Sequence, residues 1–188
     1  IDRCKAERLK AVRKSRVSRY LAVVRSILLR ARDEWEWIDK APKVKLFREP
    51  PGRERSITVE QAEALLRELP GNQRDVVLFT LATGLRQSNV LKLEWSHVNL
   101  ESGHAWVDAD QSKNRRPIAV PLNLKALEVL RRQVGKHPAR GFTYAGRPLD
   151  RANTHAWQRA LKRAGIENFR WHDLRHTWST WHRQSGTP

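Results

Sequence analysis

The spacing of apolar positions divides the chain. Val17, Tyr20, Leu21, Val24, Leu28, Ala31 and Trp35 recur at intervals of three and four, an apolar stripe on one long helix within residues 1 to about 47. Arg13, Lys14, Arg16, Arg19, Arg25, Arg30 and Arg32 lie between them, and Trp35, Trp37 and Ile38 read as closing a small core. Residues 47–55 carry Pro50, Pro51 and Gly52 among charges, a composition that disfavours helix and keeps the backbone solvated. A domain boundary is placed there, with residues 48–56 as linker. Thr58 followed by Gln61 matches a capping box, predicting a helix to about Leu69 that stops at Pro70 and Gly71. Residues 76–83 form a continuous apolar run, read as a buried helix ended by Gly84, which suits a left-handed cap. A short helix through Val90, Leu91 and Leu93 follows.

The period then changes. Residues 104–108 alternate as a strand does, and residues 116–121 read as a second strand whose Pro117 and Pro121 mark an edge. The turn between them holds Lys113 and Arg115. Helical patterns return from Leu124 to about Val134, ended by Gly135, and over residues 153–164, where Trp157 and Leu161 face inward and Gly165 ends the helix. Residues 142–144 are a short extended piece. Asp173 reads as the N-cap of a final helix that carries Trp178 and Trp181 into the core. The fold class is mainly α with a small antiparallel β-sheet: a helical piece at 1–47, the linker at 48–56, and a second domain at 57–188.

Charge narrows the function. Lys and Arg number 37 against 20 Asp and Glu, a net +17 and a pI near 11.1. Residues 1–56 hold 17 of the basic and 8 of the acidic residues, so +9 of the net charge sits in under a third of the chain. Such a field points to nucleic acid or an anionic surface. With 39% hydrophobic residues the chain can build a core, which excludes a disordered basic tail. A single cysteine, Cys4, excludes internal disulfides and cysteine-based zinc sites and fits a reducing cytoplasm. No apolar run reaches membrane-spanning length and the first residues carry no signal-peptide pattern, so no membrane partner is expected. No methionine occurs, and the chain is read as a piece of a longer one.

Three places carry candidate chemistry. In Trp171-His172-Asp173-Leu174-Arg175-His176-Thr177, His172 precedes a helix and Arg175 falls in its first turn, where backbone N–H groups and the helix dipole already favour an anion. An arginine fork and an imidazole there can hold a phosphodiester and move a proton; the same residues also describe a basic helix start with a surface arginine. Arg86 follows a buried helix and a glycine turn, a frame rigid enough for a phosphate clamp, or is an ordinary surface arginine after a cap. Lys113 sits where a β-turn can push it into a DNA groove or an active site, or is the charged tip of a hairpin. Lys14, Arg16, Arg19, Arg25 and Arg115 read as contacts to DNA phosphates, with a solvated helix face as the alternative for the helical ones.

Taken in order, these segments resemble the tyrosine recombinases of the phage-integrase family. Thr83-Gly84-Leu85-Arg86-Gln87-Ser88-Asn89-Val90 with Leu93-Glu94-Trp95, then Ser112-Lys113-Asn114 with Ile118-Ala119-Val120-Pro121-Leu122, then His172-Asp173-Leu174-Arg175-His176-Thr177 carry the likeness. Residues 57–188 are similar to the family's catalytic domain, and residues 1–47 more loosely to the end of its helical core-binding domain. The resemblance implies strand cleavage and rejoining through a 3′-phosphotyrosyl intermediate on double-stranded DNA. It implies a homo-tetramer in the whole protein and neither metal nor cofactor. By the same resemblance Arg86 and Arg175 would hold the non-bridging oxygens of the scissile phosphate. Lys113 would protonate the departing 5′-oxygen, and His172 would hydrogen-bond the phosphate and assist proton transfer.

Two features depart from the family. Its members place a second His or Trp and then the nucleophilic Tyr after the H-x-x-R helix, whereas this sequence ends 13 residues beyond Arg175. Its tyrosines, Tyr20 and Tyr144, both come earlier, and Tyr144 reads as core near a strand. The expectation is a chain without its nucleophile that does not complete strand transfer. Asn89 also stands where many relatives carry an acid. The runner-up is a DNA-binding module without chemistry, which Arg86, Lys113, His172 and Arg175 would not need to serve by converging. A metal-dependent nuclease built on His172, His176 and His182 is disfavoured, because no Asp/Glu cluster accompanies them.

Overall fold

The computed structural model describes residues 2–48, 54–111, 115–152 and 154–186. The chain divides into two compact units, residues 1–53 and 54–188. Residues 49–53 of the expected linker lie outside the described residues.

In the first unit α1 (Asp2–Ala11) packs against α2 (Lys14–Asp33). The single long helix expected from the apolar stripe is thus two, broken before Lys14, where Arg13 is extended at φ −64° and ψ 151°. Val17, Leu21 and Ala31 of the stripe are buried, while Tyr20, Val24 and Trp35 are exposed. Helix also stops well short of residue 47. The N–H groups of Glu34 and Trp35 both take the Arg30 carbonyl, and the chain turns through Glu36 at φ 54°. After that turn the tryptophans no longer follow the stripe. Trp37 is 75% exposed, and its ring lies 4.7 Å from that of Trp35 instead of in the core. Val44 and Phe47, from the non-helical segment, complete the small core, and the Phe47 N–H donates to Ser18 Oγ at 3.0 Å.

The second unit is built around one helix. α4 (Gly71–Thr83) packs against α3 (Val59–Glu68), α5 (Gln87–Leu91), α6 (Leu124–Arg131) and α8 (Asp173–Gln184). Val76, Val77, Phe79 and Leu81 are buried on all its sides, which is why the run reads as apolar without a period. It starts earlier than the apolar run, at Gly71. Arg74 in its first turn donates to the carbonyls of Leu66 and Leu69 at 2.7 and 3.2 Å, closing the end of α3. The buried Asp75 carboxylate accepts from Arg132 Nη2 at 2.8 Å and Gln133 Nε2 at 2.5 Å, joining α4 to the end of α6. α3 is opened by the expected capping box, with Thr58 and Gln61 bonded reciprocally.

A three-stranded antiparallel sheet lies beside these helices, in the order β1 (Val98–Asn99), β2 (His104–Val107), β3 (Ile118–Pro121). β1 went unread because two residues carry no period. β3 starts at Ile118, after Pro117, and lies at the sheet's edge. β4 (Thr143–Tyr144) and β5 (Arg147–Pro148) form a separate hairpin. Tyr144 is 64% exposed there, not part of the core: alternation in the strand turns its neighbour Thr143 inward. α7 (His155–Arg163), capped by Thr154, buries Trp157 and Leu161 and packs on α3. Among the described residues no helix is long and apolar enough to cross a membrane.

Candidate active site

Two elements with different constraints meet at the site. The first is the turn after α4. Thr83 Oγ1 donates to the Phe79 carbonyl at 2.8 Å and accepts from Leu85 N–H at 3.4 Å, while the Gly84 N–H bonds the Thr80 carbonyl at 2.8 Å. Gly84 takes φ +63°, the left-handed conformation that lets the chain leave the helix at once. Arg86 follows as the N-cap of α5, its carbonyl accepting the N–H groups of Asn89 and Val90. Its backbone is therefore held by two helices, and its half-buried side chain is carried at a fixed place.

The second element is α8. Its start differs in detail from expectation. His172, not Asp173, occupies the N-cap position, with helical angles of φ −64° and ψ −23°. Turn-type bonds from Asp173, Leu174 and Arg175 N–H to the carbonyls of Arg170, Trp171 and His172 already wind the chain. The buried Asp173 carboxylate instead reaches back to the Arg170 N–H at 2.8 Å. Arg175 falls in the first helical turn, half-buried, and its Nη1 donates to the Gly84 carbonyl. Behind it, Thr177 Oγ1 accepts from the Ile57 N–H at 3.3 Å and Trp181 Nε1 donates to the Ile57 carbonyl at 3.0 Å, which ties the opposite face of α8 to the chain before α3.

Arg86 and Arg175 line one cavity of about 480 Å³, with Asn89, Trp178 and His182 beside them and residues 118–123 along the edge of β3 opposite. No carboxylate is among its lining residues. Burial and then the charge of Arg86 hold the Arg175 guanidinium below its ordinary pKa. Two like charges with no acid between them are a place an anion relieves. Asn89 is buried, and its Oδ1 accepts from Ser88 Oγ at 3.3 Å.

His172 is exposed and is not among the residues lining this cavity; its ring meets that of His176 edge-on, 5.1 Å between centroids at 84°. Its pKa lies below the ordinary histidine value. Burial of the ring is the first cause, then the charges of His176, Arg175 and Arg86, opposed by Asp173. At neutral pH such an imidazole is unprotonated and can accept a proton.

Of the sequence-derived candidates, Arg86 and Arg175 share a cavity and His172 stands next to them. Lys113 lies outside the described residues, with Ser112 and Asn114. Arg115 is exposed, at φ 51°, at the foot of the hairpin. Lys14, Arg16, Arg19 and Arg25 are exposed on α2 in the other unit. Among the described residues no three His, Cys, Asp or Glu side chains converge as a metal site. Sequence reasoning missed Trp178 and His182. Trp178 was expected in the core but lines the cavity. The signal was present: 175, 178 and 182 are spaced three and four apart, one stripe on a helix whose other stripe is the core.

A profile described as the phage integrase family matches residues 55–188. The integrase of Salmonella phage P22 is 40% identical over 183 residues, covering 90% of this chain and 47% of that protein. A shufflon-specific DNA recombinase of Escherichia coli is 33% identical over 162 residues, covering 83% of this chain and 40% of that protein. The chain spans about half the length, or less, of these curated relatives. Among solved structures, the Tn1549 transposon integrase in complex with a circular intermediate DNA matches 96% of this chain and 70% of that one, with a TM-score of 0.77 at 16% identity. A lambda integrase tetramer bound to a Holliday junction matches 96% of this chain and 57% of that one, with a TM-score of 0.69 at 17% identity. At such identities the likeness is one of fold, and it agrees with the mainly α architecture with small antiparallel sheets.

Proposed function

This chain belongs to the phage integrase family, and on that premise we propose that it is the DNA-cleaving portion of a site-specific recombinase. The observation that carries the reading is the pairing of Arg86 and Arg175 across one cavity free of carboxylates. In this reading the two guanidiniums hold the non-bridging oxygens of the scissile phosphate and stabilise the charge that grows as a tyrosine oxygen attacks phosphorus. His172 accepts the tyrosine proton, and Lys113 donates one to the 5′-oxygen as its bond to phosphorus breaks. A 3′-phosphotyrosyl bond and a free 5′-hydroxyl result, and reversal with a second strand completes recombination. Neither tyrosine of the 188 residues is assigned the attack. Tyr20 and Tyr144 both precede His172, and Tyr144 lies by a different cavity, with Gln73 and Arg151.

Double-stranded DNA is the partner in this reading. The net charge of +17 and the exposed Lys14, Arg16, Arg19, Arg25 and Arg115 support it. Residues 1–47 then end a core-binding domain, 48–56 are linker, and 57–188 belong to the catalytic domain. The likeness in fold to a lambda integrase tetramer on a Holliday junction supports four protomers in the whole protein. The place of action is the cytoplasm, where the lone Cys4 stays reduced.

The test is a nicked duplex substrate that traps the covalent intermediate, offered to the polypeptide of the full reading frame and to its Arg175→Ala variant. The variant is expected to lose adduct formation by about 100-fold or more while its DNA affinity changes little. An adduct that persists in the variant contradicts the clamp. Binding without an adduct in either protein favours the module without chemistry.

A further inference from the structure

Trp178 packs on the turn that carries Arg86. A Cβ added to Gly84 would fall 2.5 Å from Trp178 Cε3, inside van der Waals contact, so the indole occupies the space that any other residue at 84 would need. The same glycine is held from α8 a second time, by the Arg175 Nη1 bond to its carbonyl. His182 lies against the indole, ring centroids 4.3 Å apart, and its Nδ1 is 3.0 Å from the Trp178 carbonyl oxygen. The Trp178 Nε1–H is buried without a hydrogen-bond partner among the described residues. Its ring is therefore held by shape, not by a polar bond. Arg86 lies two residues after Gly84, so any movement of the glycine moves the arginine.

We propose that Trp178 is a positioning residue: packed on Gly84 and His182, it sets how the turn bearing Arg86 stands against the helix bearing Arg175, so that both guanidiniums reach one phosphate. The proposal rests on the shared-phosphate reading above and names what keeps the pair aligned. Trp178 itself touches no reacting atom. Its removal leaves both arginines present but mis-spaced, and a displacement of an ångström or less is enough to weaken a two-point grip. Phenylalanine, an apolar ring of similar thickness, preserves the spacing because no polar bond is lost.

The experiment uses the chain as it stands, with inorganic phosphate as the probe and the side-chain Nε–H NMR signals of Arg86 and Arg175 as site-resolved readouts. In the wild type both signals are expected to shift with one common midpoint. In Trp178→Ala the midpoints separate and the tighter one weakens at least about threefold, while Trp178→Phe restores a common midpoint. Thermal unfolding of each variant separates loss of fold from loss of alignment. If Trp178→Ala does not fold, His182→Ala takes its place, because it removes the ring against the indole and leaves both arginines intact. A common, unshifted midpoint in whichever of these two variants is read overturns the proposal, as does a phenylalanine variant as impaired as the alanine one. Unrelated midpoints already in the wild type sink the shared-phosphate reading and the proposal with it, an outcome distinct from failure at Trp178 alone.

Discussion

His172 shows how far a side chain's chemistry depends on what surrounds it. Taken from the sequence it is an imidazole before a helix. In the fold it is an exposed ring that loses part of its hydration against the protein and feels the charges of His176, Arg175 and Arg86, all of which disfavour a positive charge on it, with Asp173 alone working the other way. The unfolded chain therefore binds this proton more readily than the folded one. Between the ordinary histidine value, about 6.5, and the lowered value, the unfolded state holds more protons, so this group costs stability as pH falls through that window and costs none above it. The expected outcome of an NMR titration of His172 is a midpoint below about 6.5, raised toward it by His176→Gln, which removes the largest of the opposing charges. A midpoint at or above the ordinary value, or one unmoved by that substitution, contradicts the assignment. Asn89 is the complementary case: a buried amide lining the cavity leaves the arginine pair without the negative charge an acid would bring.

At the level of elements, local chemistry and packing divided the work. The Thr58–Gln61 capping box satisfies backbone groups within four residues, so it was readable and the helix begins where expected. Thr58→Ala is predicted to cost about 1 kcal/mol and to lower the thermal midpoint by roughly 2–4 °C, with phosphate binding at Arg86 and Arg175 unchanged. Calorimetry and the phosphate titration check the two halves. A variant with the wild-type midpoint would mean that packing of Leu65 and Leu69 alone sets this helix. The first-unit helices went the other way. A stripe at three-and-four spacing ran on past Asp33 into Trp35, but hydrogen bonds at Arg30 and the turn at Glu36 ended the helix. The stripe cannot reveal this, since periodicity describes a helix only while one exists. Likewise, the first turns of α4 from Gly71 are held by Arg74 on a carbonyl of α3 and by Asp75 on Arg132 just after α6, the second a contact 57 positions apart in sequence.

For the whole molecule, net charge sets the terms of association. In the proposed reading, a charge of +17 on 188 residues, with exposed arginines on α2, makes duplex binding chiefly a matter of counterion release. Affinity for a duplex of unrelated sequence is expected to fall by about 10³ or more between 50 and 200 mM salt if six or more phosphates are neutralised. Fluorescence anisotropy measures this directly, and an affinity that hardly changes over that range would remove phosphate contact as the basis of binding.

The sequence by itself determined the mainly α class and the H-x-x-R helix. It also determined the glycine turn before Arg86 and a basic chain suited to DNA. Each of these follows from residues within a turn or two of one another, or from a simple sum of charges. Only the tertiary structure decided that Arg86 and Arg175, 89 positions apart in sequence, line the same cavity. It decided as well that Trp178 faces that cavity while Thr177 and Trp181 tie α8 to Ile57, and that Tyr144 stands in solvent. The physical reason is common to all three. Which face of a helix or strand is covered depends on elements that arrive from elsewhere in the chain, and local periodicity says that two faces exist without saying what lies against each.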